Sequence, residues 1–208
     1  MTIDMNTGEE KAWKVLGALD PADVCKRSLA VFDRQAGAYT VSVFGMPVTV
    51  ALCSHTIDGA DADGGRLVNK TAYFLRLSVL HYLVAARDIP AAGQLIAPTE
   101  LKSSGGLYAA GSHVLPLDRV AAEYARDTQA FLQQGMRLGG ERRDHGDASV
   151  TLYPFPRLPV TLVLWFGDDE FPARSRLLFD TTCERQLPPD VLWSVAMLCV
   201  KVMLAKEL

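Results

Sequence analysis

The alternation of apolar and polar side chains along the chain predicts two β-hairpins. Residues 38–44, AYTVSVF, alternate as a strand with one buried face does, and Gly45-Met46 can form a two-residue turn before residues 47–52 return as the partner strand. The second hairpin covers residues 158–180. Its first strand is apolar at nearly every position, so we expect it to be covered on both faces at the centre of a sheet.

Helical spacing of apolar residues accounts for much of the remaining chain. Thr7 and Asp20 are the predicted N-caps of two short helices that end near residues 19 and 28. Residues 69–88 are apolar around much of the helical circumference, which is typical of a helix that is buried on several sides. The pattern also predicts helices at 117–136 and 188–205, strands at 29–33 and 148–153, a break in the latter strand at 153–156, and loops at 54–65, 89–116 and 141–147.

This order of elements predicts an α+β fold whose sheet is mainly antiparallel, built from hairpins and packed against apolar helices. A chain of 208 residues suits one domain. We therefore expect a single domain over residues 1–208, in which residues 1–28 form an N-terminal helical segment and residues 29–208 form the sheet and the other helices.

Composition and charge exclude several classes of function. The formal net charge of −3 argues against nonspecific nucleic-acid binding, which needs clustered lysine and arginine. The N-terminus has no basic region followed by an apolar core, as a signal peptide has. The apolar segment 191–205 contains Lys201 and is too short to span a bilayer. The sequence thus predicts a cytoplasmic protein that binds neither nucleic acid nor membrane.

The apolar segment near the C-terminus also suggests self-association. The predicted helix at 188–205 carries more apolar side chains than packing on one sheet face requires. If its far side were exposed, a second copy of the chain could cover it, so the sequence predicts a homodimer.

The sequence contains no motif for an intrinsic zinc or iron–sulfur site. Its four cysteines are scattered without a CxxC pair, whereas such sites use closely spaced thiolates. Asp58, Asp61 and Asp63 lie at spacings reminiscent of a calcium loop, but the closing glutamate is missing. We therefore predict no metal site, and the identity of any cofactor stays open.

The candidate functional residues lie in three places. The turn of the second hairpin concentrates Asp168, Asp169 and Glu170 between Trp165 and Phe171, which we expect to anchor the hairpin. The long segment 89–116 is rich in glycine and proline, as functional loops are, and its Tyr108 and His113 could close over a pocket. His81, on the predicted helix at 69–88, is either a core histidine or a ligand or acid–base residue.

Three functions remain open for these residues. The first is binding of a small molecule or cofactor by the glycine-rich loop, the histidines and the acidic turn. The second is an enzyme in which a carboxylate of the turn works with a histidine as general acid and base, or in which the carboxylates ligate a metal. The third is a structural adaptor whose acidic turn meets a basic protein partner, although the turn could also be a solvated hairpin tip.

Several blocks of the sequence carry a resemblance to a known family. The most specific block is Leu164–Pro172, and the others are Asp20-Pro21 with Lys26–Ser28, Tyr39–Val50, Leu80–Leu83, Leu138–Gly140 with Gly146-Asp147, and Leu178–Asp180. Together they resemble domain-of-unknown-function family 3786 of anaerobic bacteria and archaea, and the resemblance adds Asp147 to the candidate ligand-binding residues. Some family members carry an additional cysteine-rich iron–sulfur domain, and this association implies a role in anaerobic redox or one-carbon metabolism. This chain lacks those cysteines, so the resemblance implies no intrinsic cluster.

Overall fold

The computed structural model describes residues 5–103, 106, 108, 114–125 and 127–205, and these residues form an α+β fold, as predicted. The helices are α1 (Met5–Ala18), α2 (Pro21–Ser28), α3 (Ala62–Ala85), α4 (Leu117–Tyr124), α5 (Thr128–Arg137), α6 (Cys183–Gln186) and α7 (Pro189–Leu204). The strands are β1 (Val31–Asp33), β2 (Ala38–Val43), β3 (Met46–Ala51), β4 (Thr56–Gly59), β5 (Leu95–Ile96), β6 (Glu141–Arg143), β7 (Ala148–Phe155), β8 (Leu158–Trp165) and β9 (Arg174–Asp180).

The first four strands form an antiparallel sheet in sequence order, and the predicted hairpin of residues 38–52 lies at its centre. Val43 pairs with Met46, so the two turn residues are Phe44 and Gly45, one position earlier than the sequence suggested. Both have positive φ angles, 50° and 77°, which suits the twist of a tight hairpin. The N–H of Phe44 then donates to the carbonyl oxygen of Tyr153 at 3.0 Å and joins the two sheets.

The second sheet has five antiparallel strands in the order β5-β9-β8-β7-β6. The predicted hairpin of residues 158–180 is present as β8 and β9, and β8 lies at the centre of the sheet. Val160, Leu162 and Leu164 on its inner face are fully buried, and Thr161 and Val163 on its outer face are also buried. The apolar run thus marks a strand that is covered on both sides, as predicted.

The C-terminal helix α7 is buried within a single chain. It packs against α3, and the apolar residues that motivated the homodimer prediction are fully covered, including Val191, Leu198 and Met203. Gln134 closes the end of the helix, since its side-chain amide donates to the carbonyl oxygens of Val202 at 2.8 Å and Ala205 at 3.0 Å. The exposed helix face on which the homodimer prediction depended is therefore not present, and the dimer stays a prediction without that support.

Three predicted loops prove to contain regular structure. Residues 54–65 include β4 and the start of α3, whose N-cap is Asp61, a carboxylate that accepts the N–H of Gly64 at 2.7 Å. The helix predicted at 69–88 therefore begins at Ala62. Residues 141–143 form the edge strand β6 rather than a connecting loop, and the segment 89–116 contains β5 and a 3₁₀ turn at Pro98–Glu100.

Three other predicted boundaries were wrong for identifiable reasons. The helix predicted at 117–136 is interrupted, because the Asp127 side chain accepts the N–H of Ala130 at 2.8 Å and starts a second helix. Strand β7 continues through Pro154 to Phe155, because a bulge between Leu152 and Phe155 accommodates the proline. Helix α1 begins at Met5, so Thr7 lies inside it, whereas Asp20 is the N-cap of α2 as predicted.

Substitutions at two glycines in helices can test how closely α5 packs against β7. A methyl group added to Gly135 in α5 would lie 2.5 Å from a methyl group of the buried Val150, whereas one added to Gly65 in α3 would meet nothing within 4 Å. We expect Gly135→Ala to lower the free energy of unfolding by about 1–3 kcal/mol. Gly65→Ala should raise it by about 0.5–1 kcal/mol, because glycine is a poor helix former. Urea denaturation of both variants measures the difference, and equal stabilities would contradict the close approach of α5 to β7.

Candidate functional site

A cavity that polar and apolar side chains line together lies on the outer face of the five-stranded sheet. We call this cavity, which has a volume of about 380 Å³, the sheet-face pocket. Its floor is formed by Thr151 on β7 and Thr161 on β8, whose hydroxyl oxygens lie 2.7 Å apart and share a hydrogen bond. Both threonines are buried, because two walls rise from opposite edges of the sheet and cover this face.

The first wall is the segment Ile89–Leu95, which Asp180 holds against β9. One carboxylate oxygen of Asp180 accepts the N–H of Gly93 at 2.7 Å, and the other accepts the N–H of Ala92 at 3.0 Å. The second oxygen also accepts the N–H and the hydroxyl of Thr182, at 2.9 and 2.6 Å. Asp180 is only 2% exposed. Burial would raise the pKa of its carboxyl group, but these hydrogen bonds outweigh that effect and hold the pKa below its ordinary value.

The second wall is β6 with the turn that follows it. Arg143 and His145 line the pocket from this side. The backbone N–H of His145 donates to the hydroxyl of Ser149 at 2.9 Å, which fixes the turn over the sheet. The guanidinium of Arg143 and the hydroxyl of Tyr153 both donate to Glu141, and their hydrogen bonds hold the pKa of that carboxyl group below its usual value.

One end of the pocket is closed where the β7–β8 turn meets the end of α2. Arg157 donates from Nε to the carbonyl oxygen of Arg27 at 2.7 Å and from a terminal nitrogen to the carbonyl oxygen of Lys26 at 3.3 Å. It also forms an ion pair with Asp88. A guanidinium in this position satisfies the last carbonyl groups of α2 and complements the negative end of the helix dipole. The next residue after the helix, Leu29, has a φ of 60° and lines the pocket.

Tyr82 connects this end of the pocket to the core. Its hydroxyl donates to the carbonyl oxygen of Ser28 at 3.0 Å and accepts the N–H of Arg157 at 3.1 Å. Its ring stacks on Phe155, with the centroids 4.5 Å apart. Burial raises the pKa of this phenol well above its ordinary value. Tyr82 therefore acts as a neutral hydrogen-bonding link between α3, the end of α2 and the β7–β8 turn.

The predicted acidic turn lies at the β8–β9 connection, where one of its three carboxylates, that of Asp168, stabilises the turn itself. Asp168 accepts the N–H groups of Glu170 at 2.9 Å and Phe171 at 2.7 Å, and these bonds lower the pKa of its carboxyl group. The side chains of Asp169 and Glu170 are exposed. Phe171 is 67% exposed, so it does not anchor the hairpin as we expected.

Asp147 and Trp165 lie beside this turn. Asp147 accepts the N–H of Phe166 at 2.7 Å and thereby ties the β6–β7 connection to the end of β8. The guanidinium of Arg174 lies 4.9 Å from the ring centroid of Trp165, in a cation–π contact. The structure thus brings Asp147, Trp165 and the acidic turn together at one end of the five-stranded sheet, and none of them lines the sheet-face pocket.

The other predicted site residues lie apart from this group. Tyr108 is 6% exposed and lines a second pocket of about 380 Å³, which Glu100 and Arg176 also line; burial raises the pKa of its phenol. His81 is half-buried on α3, where burial lowers its pKa, Asp190 raises it and Lys11 lowers it. His113 lies outside the described residues.

Two further features hold for the part of the chain that the structure describes. No group of three or more histidine, cysteine, aspartate or glutamate side chains converges there in a way that could hold a metal ion. No helix in this part is both long enough and apolar enough to cross a membrane.

The residues of the sheet-face pocket were not among the candidates from the sequence. They come from the end of α2, the segment 89–95, the four strands β6 to β9 and the turns between β6, β7 and β8, which are far apart along the chain. The sequence did contain partial signals. The long glycine- and proline-rich segment was expected to be functional and supplies one wall, and Asp180 closes one of the blocks that carry the family resemblance.

The contribution of the Asp180 hydrogen bonds to the stability of the protein can be tested. We expect Asp180→Asn to lower the free energy of unfolding at pH 7 by about 1–3 kcal/mol, because an amide nitrogen would face a buried N–H donor. The pKa of Asp180 is lower in the folded protein, so the wild-type advantage exists above the unfolded pKa of about 4 and is lost as the pH falls through the folded value. Urea denaturation at pH 7 and at about pH 2.5 measures this, with the exposed Asp144→Asn as control. An equal effect at both pH values would contradict the assignment.

The two neighbouring aspartates of the acidic turn can be compared directly. Asp168 accepts two backbone N–H groups, whereas the side chain of Asp169 is exposed. We therefore expect Asp168→Ala to speed hydrogen exchange at the amides of Glu170 and Phe171, and Asp169→Ala to leave it unchanged. Amide exchange followed by NMR measures both. If the two variants behaved alike, Asp168 would not be the residue that stabilises the turn.

Comparison with known proteins gives one match. A family model described as Domain of unknown function (DUF3786) matches residues 20–202. No curated protein and no solved structure matches the chain. The family match includes every strand of both sheets and every segment that lines the sheet-face pocket. Because it extends over nearly the whole chain, the protein belongs to the DUF3786 family.

Proposed function

We propose that this protein binds a small organic molecule in the sheet-face pocket. The observation that carries the proposal is a cavity whose walls are fixed by the protein's own hydrogen bonds, above all those that Asp180 accepts from Ala92 and Gly93. A rigid, preformed pocket binds a ligand with little loss of conformational entropy. Small-molecule sites are concave, mostly apolar, and lined by a few well-placed polar groups, as this pocket is.

The volume and the lining support the same proposal. A cavity of about 380 Å³ lies within the range of small-molecule sites, near its lower end. The second pocket, beside Tyr108, has the same volume, but the sheet-face pocket has the more apolar lining of the two. Because small-molecule sites are mostly apolar, we place the site in the sheet-face pocket.

We propose binding and assign no reaction to the pocket, because both oxygens of its carboxylate, Asp180, already accept hydrogen bonds. The enzyme and adaptor hypotheses stay predictions, and so do a cytoplasmic location and a role in anaerobic redox or one-carbon metabolism.

A pair of alanines tests the proposal. Ala91 lines the pocket, whereas Ala36, in the turn between β1 and β2, is exposed outside it. We expect fragments from a library of small carboxylates, amines and neutral aromatics to shift the backbone NMR signals of Thr151 and Thr161. Ala91→Trp should weaken the binding of such fragments at least about tenfold, because the indole would occupy the entrance of the pocket. Ala36→Trp should leave it unchanged.

Native mass spectrometry of the full chain as purified gives an independent result. A retained mass that Ala91→Trp removes and Ala36→Trp does not would support the pocket as a ligand site. The proposal would be wrong if no fragment perturbed the pocket signals, or if both tryptophan variants bound fragments as the wild type does.

A further inference from the structure

Apolar side chains and nitrogen donors line opposite sides of the sheet-face pocket. Leu95 on the edge strand β5, together with Ile89 and Pro90, presents an apolar surface, which Leu29 extends at the end of the pocket. Arg143 on the opposite edge strand β6 and His145 after it present nitrogen donors. The two edge strands are four strand spacings apart, about 19 Å, and the side chains reach inward from both. The remaining space suits a short, elongated ligand with two unlike ends.

The carboxylates of this region already accept hydrogen bonds from the protein. Asp180 accepts them from Ala92, Gly93 and Thr182 and keeps its negative charge, and Glu141 accepts from Arg143 and Tyr153. A cationic ligand would therefore have to share these oxygens with the protein's own donors. A ligand carboxylate or phosphate, in contrast, would meet the imidazole of His145 and the half-exposed guanidinium of Arg143.

Leu29 has two properties that the fold alone does not explain. Its φ of 60° at the end of α2 belongs to the left-handed region, which glycine usually occupies at a helix C-terminus. Its side chain is nevertheless 56% exposed at the rim of the pocket. The free protein gains little packing from a leucine that glycine could replace with less backbone strain, whereas an apolar ligand would cover it.

We infer that the ligand of the sheet-face pocket is an organic anion with an apolar body, and that Leu29 is a specificity-determining residue that contacts this body. The anionic group lies against Arg143 and His145, and the body extends toward Leu29 and Leu95. This inference rests on the proposed function and adds the chemical class of the ligand.

Three probes distinguish what the anionic group and the apolar body of such a ligand each contribute to binding. They are hexanoate, its neutral amide hexanamide, and acetate. NMR titration of the full chain should show that hexanoate binds about tenfold more tightly than either of the other two. Acetate has the charge without the body, and hexanamide has the body without the charge. If hexanamide bound as tightly as hexanoate, the anionic class would be wrong, although binding in the pocket would stand.

Two matched pairs of variants test the roles of Leu29 and Arg143 in ligand binding. Leu29→Gly should weaken hexanoate binding about fivefold and leave acetate binding unchanged, while its melting temperature should be no lower than that of the wild type. Val31→Ala, which truncates a nearby exposed residue outside the pocket, is its control.

Arg143→Gln should reduce hexanoate binding to the level of hexanamide, and Arg142→Gln on the same strand should not.

Each unexpected result would overturn a different part of the inference. If Leu29→Gly bound hexanoate as the wild type does, or if it melted at a lower temperature, the specificity role of Leu29 would be wrong. If none of the three probes shifted the pocket signals, the inferred ligand class would be wrong. In that last case the fragment library and the native mass spectra would still decide whether the pocket binds small molecules at all.

Discussion

The geometry of the pocket depends on the hydrogen bonds that the carboxylate of Asp180 accepts. Asp180 ends the strand β9, and its two oxygens accept hydrogen bonds from Ala92, Gly93 and Thr182. A buried carboxylate is stable only when such donors compensate for its lost hydration. The same bonds fix the segment 89–95 above the sheet, so the need to satisfy one buried charge also creates the wall of a cavity. A residue that stabilises the fold thus also shapes the candidate site.

The five-stranded sheet divides structural and binding roles between its two faces. Its inner face is apolar and packs against helices, whereas its outer face carries the hydrogen-bonded pair Thr151 and Thr161 beneath the pocket. Because successive side chains of a strand point to opposite faces, one set of strands can serve both purposes. The ends of α2 and β7 meet at Arg157, which links the helical N-terminal part of the chain to the rim of the pocket.

The sequence predicted those features that repeat locally and missed those that depend on distant partners. The hairpins and apolar helices were predictable because burial recurs at strand or helix spacing. The helix break at Asp127 and the strand through Pro154 depend on one side-chain hydrogen bond and one bulge, which periodicity does not reveal. The pocket was missed because its residues converge only in the folded chain. Asp168 drew attention through its charged neighbours, yet two of its hydrogen bonds stabilise its own turn.

The most direct test of ligand binding in the sheet-face pocket is to locate a bound probe relative to the methyl groups of the protein. Isotope-filtered nuclear Overhauser effects between hexanoate and the full chain report which methyl groups lie close to the probe. If hexanoate binds in the pocket, we expect effects to the methyl groups of Leu29 and Thr161, which line it. Effects confined to exposed methyl groups outside it, such as those of Val114 or Met136, would contradict the assignment of the site.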